Sequence, residues 1–313
     1  MRNKKALEMN FSTIFSIIAG IAILTLAIYF ATQLVNQGEE RTNAQTSAAL
    51  SILLDPLETS MGESNSNKLT FGTKTRIYND KCATTGNFGE QRIGTSSLSF
   101  NKWTEPTYGK RQYNKYIFSQ ETEEGKELYV FVKPLYLPYK ISDLIIITGD
   151  EYCFINTPTT VKKELQGLNL ENIHFTNTKT NCSLESKKVC FSTSTDCDIT
   201  IYGEYGFTQG YVSKQGEKLE YANNLLYPAI FSSPKVYECN VQRLKMRLIN
   251  LALIYKEEIK VLQRRNCNSN LDSHLTELIN LANSNASLTY LQEKSEQINT
   301  INNAEDCKIF ENE

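Results

Sequence analysis

The feature that most constrains this chain is an uncharged segment of 25 residues near the amino terminus. It runs from Phe11 to Val35, and only isolated small or polar residues interrupt its apolar character. As a helix it would span roughly 37 Å, enough to cross a hydrocarbon core of about 30 Å with some tilt. It also lacks the polar face of a water-exposed amphipathic helix. The sequence therefore predicts a transmembrane helix over residues 11–35.

A cleaved secretory signal is the alternative interpretation of this segment. Such signals have an apolar core of about 7–15 residues, followed by a cleavage site with small residues. The run here is longer, and Ala27 and Ala31 flank bulky residues that make a poor cleavage site. The pattern favours an uncleaved signal anchor.

Charge predicts the orientation of the anchor. Arg2, Lys4 and Lys5 precede the span, and only Glu8 opposes them. By the positive-inside tendency, residues 1–10 form a cytoplasmic basic stub and the remainder of the chain is extracellular. The sequence thus predicts a single-pass cell-membrane protein whose first partner is the lipid bilayer.

Cysteine usage leads independently to the same location, because all eight cysteines follow the span. They are Cys82, Cys153, Cys182, Cys190, Cys197, Cys239, Cys267 and Cys307. An even number of cysteines in an oxidising compartment predicts up to four disulfides, and the sequence leaves their pairing open. The alternative is that they are buried free thiols of a cytosolic protein. The triplets that begin at Asn181 and Asn285 are possible glycosylation sites.

The chain beyond the span divides into three parts. Residues 36–56 continue the helix outside the membrane until Pro56 stops it. Residues 69–237 alternate short β-branched and aromatic runs with turn residues, which predicts a mixed, mainly antiparallel α+β domain. Within it, a helix that follows Pro158 lies between two apolar runs, so a strand–helix–strand unit is expected. The predicted strands include residues 75–78, 116–118, 128–132, 144–147, 152–155, 189–191, 199–202 and 210–212.

Residues 238–307 are predicted to form a helical subdomain. An apolar stripe from Val241 to Leu262 recurs at steps of three and four residues, and further helices follow Asp272 and Ser287. The segment from Val236 to Arg265 also carries seven Lys or Arg residues against three Glu. This excess is either a surface that docks on anionic lipid or an acidic partner, or a hydrated outer face.

No residue pattern indicates catalysis. A net charge of −2 argues against nucleic-acid binding, and the two histidines, His174 and His274, have no companion motif. Nucleophile-elbow, zinc-protease, phosphate-loop and dinucleotide-binding motifs are absent from the sequence. Asp196-Cys197-Asp198 is interpreted as a turn rather than a calcium loop, and residues 121–125 as a solvated turn. We therefore expect no enzyme activity, no cofactor and no metal.

Two resemblances add to this interpretation. The basic leader, Glu8 and the long amino-terminal helix resemble type IV pilin-like proteins. Cleavage after Ala6 would however place Glu8 second in the mature chain, where pilins usually carry it fifth. Residues 76–82, 232–234, 237–241 and 267–271 are similar to a group of single-span surface proteins from archaea with reduced genomes. This resemblance implies location and architecture but no activity.

The sequence leads to three functional hypotheses. The first is a structural or adhesive surface protein, including a pilin-like assembly subunit that self-associates through residues 10–55. The second is a receptor or ligand-binding module, with Trp103, Tyr136 and Tyr139 as candidates for an aromatic pocket. The third is an ectoenzyme that uses carboxylates, which linear sequence does not exclude.

Overall fold

A computed structural model describes residues 18, 20–30, 66–191, 196–284 and 286–311. Residues 20–30 form a helical segment, α1, with exposed side chains. In the part of the chain that is described, no helix is both long enough and apolar enough to cross a membrane. The predicted stub over residues 1–10, most of the predicted span over residues 11–35 and its extension over residues 36–56 lie outside the described residues.

The first sheet is mainly antiparallel and contains seven strands. They are β1 (Ser66–Ala83), β2 (Glu90–Ser99), β3 (Lys102–Trp103), β4 (Thr107–Tyr108), β5 (Tyr116–Phe118), β6 (Thr122–Tyr136) and β7 (Lys140–Thr148). Their order is β3-β2-β1-β6-β7-β5, with β4 also paired to β2. The pair β5–β7 is parallel and the other pairs are antiparallel.

This sheet curls until its edge strand β5 approaches the opposite end of the sheet. Buried amides join the two ends: Gln91 on β2 donates to the Ile117 carbonyl of β5 at 2.7 Å and to Asn79 on β1 at 2.6 Å. Asn79 in turn donates to the Ile117 carbonyl at 3.0 Å. The concave interior is filled by a separate apolar cluster that includes Ile77, Val130 and Ile145.

The second sheet is half parallel. It consists of β8 (Tyr152–Ile155), β9 (Ile173–Thr176), β10 (Lys187–Cys190), β11 (Ile199–Glu204), β12 (Gln209–Lys214) and β13 (Glu217–Ala222), in the order β13-β12-β11-β10-β8-β9. Strands β9, β8, β10 and β11 are parallel, and β12 and β13 continue antiparallel. Helix α2 (Thr159–Gly167) connects β8 to β9, which confirms the predicted strand–helix–strand unit. Three short 3₁₀ turns cover Lys179–Asn181, Tyr205–Phe207 and Asn223–Leu225.

The described part of the chain contains four further helices: α3 (Leu226–Phe231), α4 (Pro234–Gln263), α5 (Leu271–Asn283) and α6 (Leu288–Ala304). The buried helix α3 contacts β7 of the first sheet and β12 and β13 of the second. Ser233 and Ser287 cap α4 and α6 by accepting backbone N–H bonds. One apolar cluster extends from Tyr116 to Phe310 and so includes both sheets and the carboxyl-terminal helices. The predicted α+β class is confirmed.

All eight cysteines are paired in disulfides. The pairs are Cys82–Cys239, Cys153–Cys182, Cys190–Cys197 and Cys267–Cys307. The first joins the end of β1 to the first turns of α4, across 157 residues of sequence. The last joins the end of α4 to the segment after α6. Several disulfides in one domain are typical of extracellular and secreted proteins.

Arg243 fits neither interpretation of the basic residues on α4, the docking surface or the hydrated outer face. Its side chain is fully buried, and its guanidinium donates to the carbonyls of Lys115, Gln112 and Tyr113 at 3.0–3.1 Å. It also donates to Asn240 at 2.7 Å. One turn later, Arg247 donates to the Ile141 carbonyl at 2.6 Å. These basic side chains fasten α4 to the first sheet instead of facing an outside partner.

The predicted solvated turn over residues 121–125 is also wrong. Thr122 begins β6, and the side chain of Glu123 is only 2% exposed. Its carboxylate accepts backbone N–H bonds from Gln120 at 3.2 Å and from Gly149 at 2.9 Å. These bonds compensate for part of the free-energy cost of burying a polar group. Because the partners are not adjacent in sequence, local polarity alone does not predict that Glu123 is buried.

Candidate ligand-binding cleft

The most suitable binding site is a cleft at one edge of the second sheet, which we call the α2 cleft. Strands β8, β11 and β13 run in the same direction, so their carboxyl ends meet at this edge. The chain that follows each strand lines the cleft, and the end of β6 closes it. Its lining residues are Pro134, Tyr136, Thr160, Val161, Glu164, Gly206, Phe207, Thr208, Asn223, Asn224, Leu226 and Tyr227.

The position and size of the cleft fit a small-molecule site. In open α/β sheets, ligands bind in crevices outside the carboxyl ends of the parallel strands. The chain leaves β8 through α2 toward β9 on one side, and then returns across β8 to β10 on the other. Such a reversal is the place where a crevice opens. The volume of about 530 Å³ lies within the range of about 300–1,000 Å³ that small-molecule sites occupy.

A fixed carboxylate lies at the centre of the polar wall. Glu164 Oε2 accepts a hydrogen bond from the Tyr227 hydroxyl at 2.6 Å and from Lys133 Nζ at 3.1 Å. The Glu164 side chain is 47% exposed, whereas that of Lys133 is 6% exposed and lies 5.2 Å from the Tyr227 ring centre. Burial, together with the bond to Glu164, raises the pKa of Tyr227. Tyr227 therefore stays a neutral donor at physiological pH, and Glu164 is held in one orientation.

The opposite wall depends on unusual backbone conformations. Phe207 has a φ of +70° and Asn223 a φ of +50°, in the left-handed region that bulky residues rarely adopt. The Phe207 ring packs 5.2 Å from the ring centre of Phe191 and lies over Gly203, where a Cβ atom would overlap it. Asn224 Nδ2 donates to the Pro134 carbonyl at 2.7 Å, and Asn223 Nδ2 to Gln292 at 2.7 Å. These contacts hold the wall in place without a ligand.

This arrangement is suited to binding. It combines three aromatic side chains with hydroxyl, amide and carboxylate groups, a mixture typical of sites that hold a small polar molecule. Glu164 is the one carboxylate among the twelve lining residues. Among the described residues, no group of three or more His, Cys, Asp or Glu side chains is placed to hold a metal ion.

A larger groove of about 840 Å³ lies beside the Cys82–Cys239 disulfide, between β13 and the starts of α4 and α6. Two of its charged groups, Glu220 and Lys245, already have structural partners. Glu220 accepts from the Leu288 backbone N–H at 3.1 Å, and Lys245 donates to the Ala286 carbonyl at 3.1 Å. These bonds hold the start of α6 against β13 and α4. The groove is wide and open, and we regard the α2 cleft as the better site.

The aromatic residues predicted for a pocket do not come together. Tyr136 lines the α2 cleft. Tyr139 is buried in the core, 4.5 Å from the ring centre of Tyr255. Trp103 lies on β3, with the Arg76 guanidinium 3.9 Å from its ring centre. The sequence did not indicate Glu164 or Phe207 as site residues. Glu164 occupies a polar helix position and Phe207 follows a strand, and neither position has a pattern that marks a binding residue.

The histidines, the Asp196-Cys197-Asp198 segment and the possible glycosylation site Asn181 lie apart from the cleft. His174 is exposed on β9, and His274 is half-buried with its Nδ1 3.0 Å from Lys294 Nζ. Asp196 and Asp198 bond to Lys179 and to the Lys188 backbone, which agrees with a turn. Asn181 is exposed, as glycosylation would require. Asn285 lies outside the described residues.

Glu123 and Lys214 are buried ionisable groups outside the cleft whose pKa values are strongly shifted. Burial, with a smaller contribution from Asp150, raises the pKa of Glu123 to about 7. Burial, with repulsion from Lys187, lowers the pKa of Lys214 to about 7. Lys214 donates to the Ile230 carbonyl at 3.0 Å and to the Ser232 carbonyl, so it fastens the end of α3 to β12. Both groups serve the packing of the fold.

Comparisons with protein-family models, with curated proteins and with solved structures found no significant match to this chain.

Proposed function

We propose that this chain is a membrane-anchored, extracellular adhesive protein whose disulfide-bonded head binds a ligand at the cell surface. The four disulfides are the observation on which the proposal depends most. They favour an oxidising compartment. The uncharged segment from Phe11 to Val35 and the basic residues before it supply the anchor and its orientation.

The α2 cleft favours adhesion by ligand binding over a purely structural role. Its aromatic and polar side chains converge on a cavity of small-molecule size, which a filament subunit does not need. Self-association through residues 10–55, as in a pilin-like assembly, is the second candidate. It is supported by the small residues spaced four apart within the apolar segment, Ser16 and Gly20, and Ala27 and Ala31.

Location is tested with the full-length chain carrying a carboxyl-terminal epitope. We expect protease added to intact cells to remove the epitope, and a variant that lacks residues 11–35 to appear in a soluble fraction. An epitope that is protected in intact cells but cleaved after lysis would contradict the proposal. In-cell crosslinking of the same chain tests self-association, since recovery of monomers alone would exclude the assembly role.

A further inference from the structure

We infer that the α2 cleft is a binding site for a neutral saccharide. The inference deepens the proposed function, because it names the class of ligand that the surface head would recognise. Its chemistry depends on three features of the cleft: its charge balance, its aromatic surfaces and its fixed hydrogen-bonding groups.

The charge balance selects an uncharged ligand. Among the described residues that line the cleft, Glu164 is the single charged one. Its carboxylate is already bonded to Lys133, whose side chain is almost fully buried behind it. The carboxylate would repel an anionic ligand, and for a cationic ligand its charge is already balanced by Lys133. A ligand without formal charge is subject to neither effect.

The aromatic side chains supply the surfaces that sugar rings use. Tyr136 and Phe207 line the cleft and are half-buried, so part of each side chain is available to a ligand. The face of an aromatic ring is electron-rich and attracts the weakly positive C–H groups on one side of a pyranose. The positive φ of Phe207 and its close approach to Gly203 hold that ring in place before a ligand arrives.

The polar groups match a pattern of neighbouring hydroxyls. The Glu164 carboxylate is a strong acceptor, and its two existing donors fix its direction. Asn223 and Asn224 use their amide N–H groups on Gln292 and Pro134, which leaves their carbonyl oxygens as acceptors for the cleft. Thr160 and Tyr136, which also line the cleft, each carry a hydroxyl that can donate or accept. A polyhydroxylated ring can engage several of these groups at once.

The test uses the full-length chain in detergent and a panel of neutral oligosaccharides built from glucose, galactose, mannose or N-acetylhexosamines. We expect saturable binding of at least one member by calorimetry, with an affinity that changes less than about twofold between low and high salt. Glu164→Gln and, separately, Tyr136→Leu are each expected to weaken binding at least about tenfold. Glu238→Gln, an exposed change in the larger groove, is expected to leave the affinity unchanged.

Several results would overturn the inference. They are no binding of any panel member, equal affinity in wild type and in both cleft variants, or saturable binding of inorganic phosphate or tetramethylammonium at the cleft instead. Loss of Glu164 could destabilise the buried Lys133, so each variant is also checked for an unchanged circular dichroism spectrum. The Tyr136 variant keeps the test valid, because it leaves the Glu164–Lys133 pair intact. An intracellular location would contradict the proposed function alone, since saccharide binding is measured on the purified chain.

Discussion

Arg243 shows how a single buried cation can connect distant parts of a chain. It has no carboxylate partner among the described residues, and carbonyl and amide oxygens surround it instead. It also lies 4.8 Å from the ring centre of Tyr116. Burial lowers its pKa to about 10, so it remains charged at neutral pH. The side chain thus joins α4 to the place where the first sheet closes.

Replacing Arg243 with Met is expected to destabilise the fold by about 3–5 kcal/mol, because several buried carbonyls lose their donor at once. Urea denaturation followed by circular dichroism measures this loss. Arg247→Met, one turn later on the same helix, is the matched control, since Arg247 is half-exposed and makes fewer bonds. Equal losses of unfolding free energy in the two variants would show that the hydrogen bonds around Arg243 contribute no more to stability than those of Arg247.

Glu123 is expected to make the protein less stable as the pH rises from about 4.5 to 7. Its native pKa of about 7 exceeds the ordinary value of 4.5, so in this window the native state binds more protons than the unfolded state. Its contribution is therefore complete below pH 4.5 and is lost as the pH rises through 7, by about 3 kcal/mol in total. Denaturation midpoints of the wild type should fall as the pH rises across this range, and those of Glu123→Gln should not show this fall.

Glu124, the next residue, provides a control of opposite sign. Hydrogen bonds from Lys74 and then Arg76 lower its pKa, so its contribution is present above the unfolded pKa and is lost as the pH falls. Glu124→Gln should keep the decline between pH 4.5 and 7. A wild-type protein whose stability is flat in this window would contradict the assignment to Glu123.

At the scale of elements, the disulfides differ in how much of the chain they constrain. Cys82–Cys239 closes a loop of 157 residues, whereas Cys190–Cys197 closes one of seven. Because loop-closure entropy grows with loop length, converting the first pair to alanines should cost about 5 kcal/mol and the second about 2.5 kcal/mol. Denaturant titrations of the two double variants measure the difference. A larger loss from the short loop would mean that local packing outweighs chain entropy here.

The turn after β11 shapes one wall of the α2 cleft. Gly203→Ala would place a Cβ atom against the Phe207 ring and 2.7 Å from the Tyr221 hydroxyl, so we expect a loss of about 1–3 kcal/mol from overpacking. Saccharide binding should weaken as the ring is displaced. Gly167→Ala at the end of α2 is the control, because a Cβ atom there meets nothing within 4 Å. Tolerance of Gly203→Ala in both assays would show that Phe207 can move freely.

Local pattern predicted most elements but not their arrangement. The helices are predictable from capping residues such as Ser287 and from apolar residues that recur at steps of three and four. Strand β2 escaped prediction because its buried positions include Gln91, Thr95 and Ser96, whose polarity is satisfied by distant parts of the chain. The α2 cleft depends on the strand order of the second sheet, which no local pattern encodes. Of its residues, Tyr136 alone was a candidate from sequence.

At the scale of the whole molecule, one apolar core connects parts that look separate in sequence. The cluster that contains Tyr116 on β5 and Ile146 on β7 also contains Leu248 on α4 and Leu278 on α5. The Cys82–Cys239 disulfide and the Arg243 network join the same parts. A predicted boundary at residue 238 would fall inside α4, which begins at Pro234.

Native-state hydrogen exchange can decide whether the strands and the carboxyl-terminal helices form one cooperative unit. Because they share a core, we expect the slowest amides of β7, α4 and α5 to exchange with the same opening free energy, equal to that of global unfolding. The experiment is done without reductant, so that the disulfides remain closed. Helical amides that open at a clearly lower free energy than those of β7 would establish residues 238–307 as an independent subdomain. If the strands and helices instead unfold as one unit, a ligand in the α2 cleft should slow exchange in α4 as well as in α2. The reason is that ligand binding to the native state raises the free energy of every global opening.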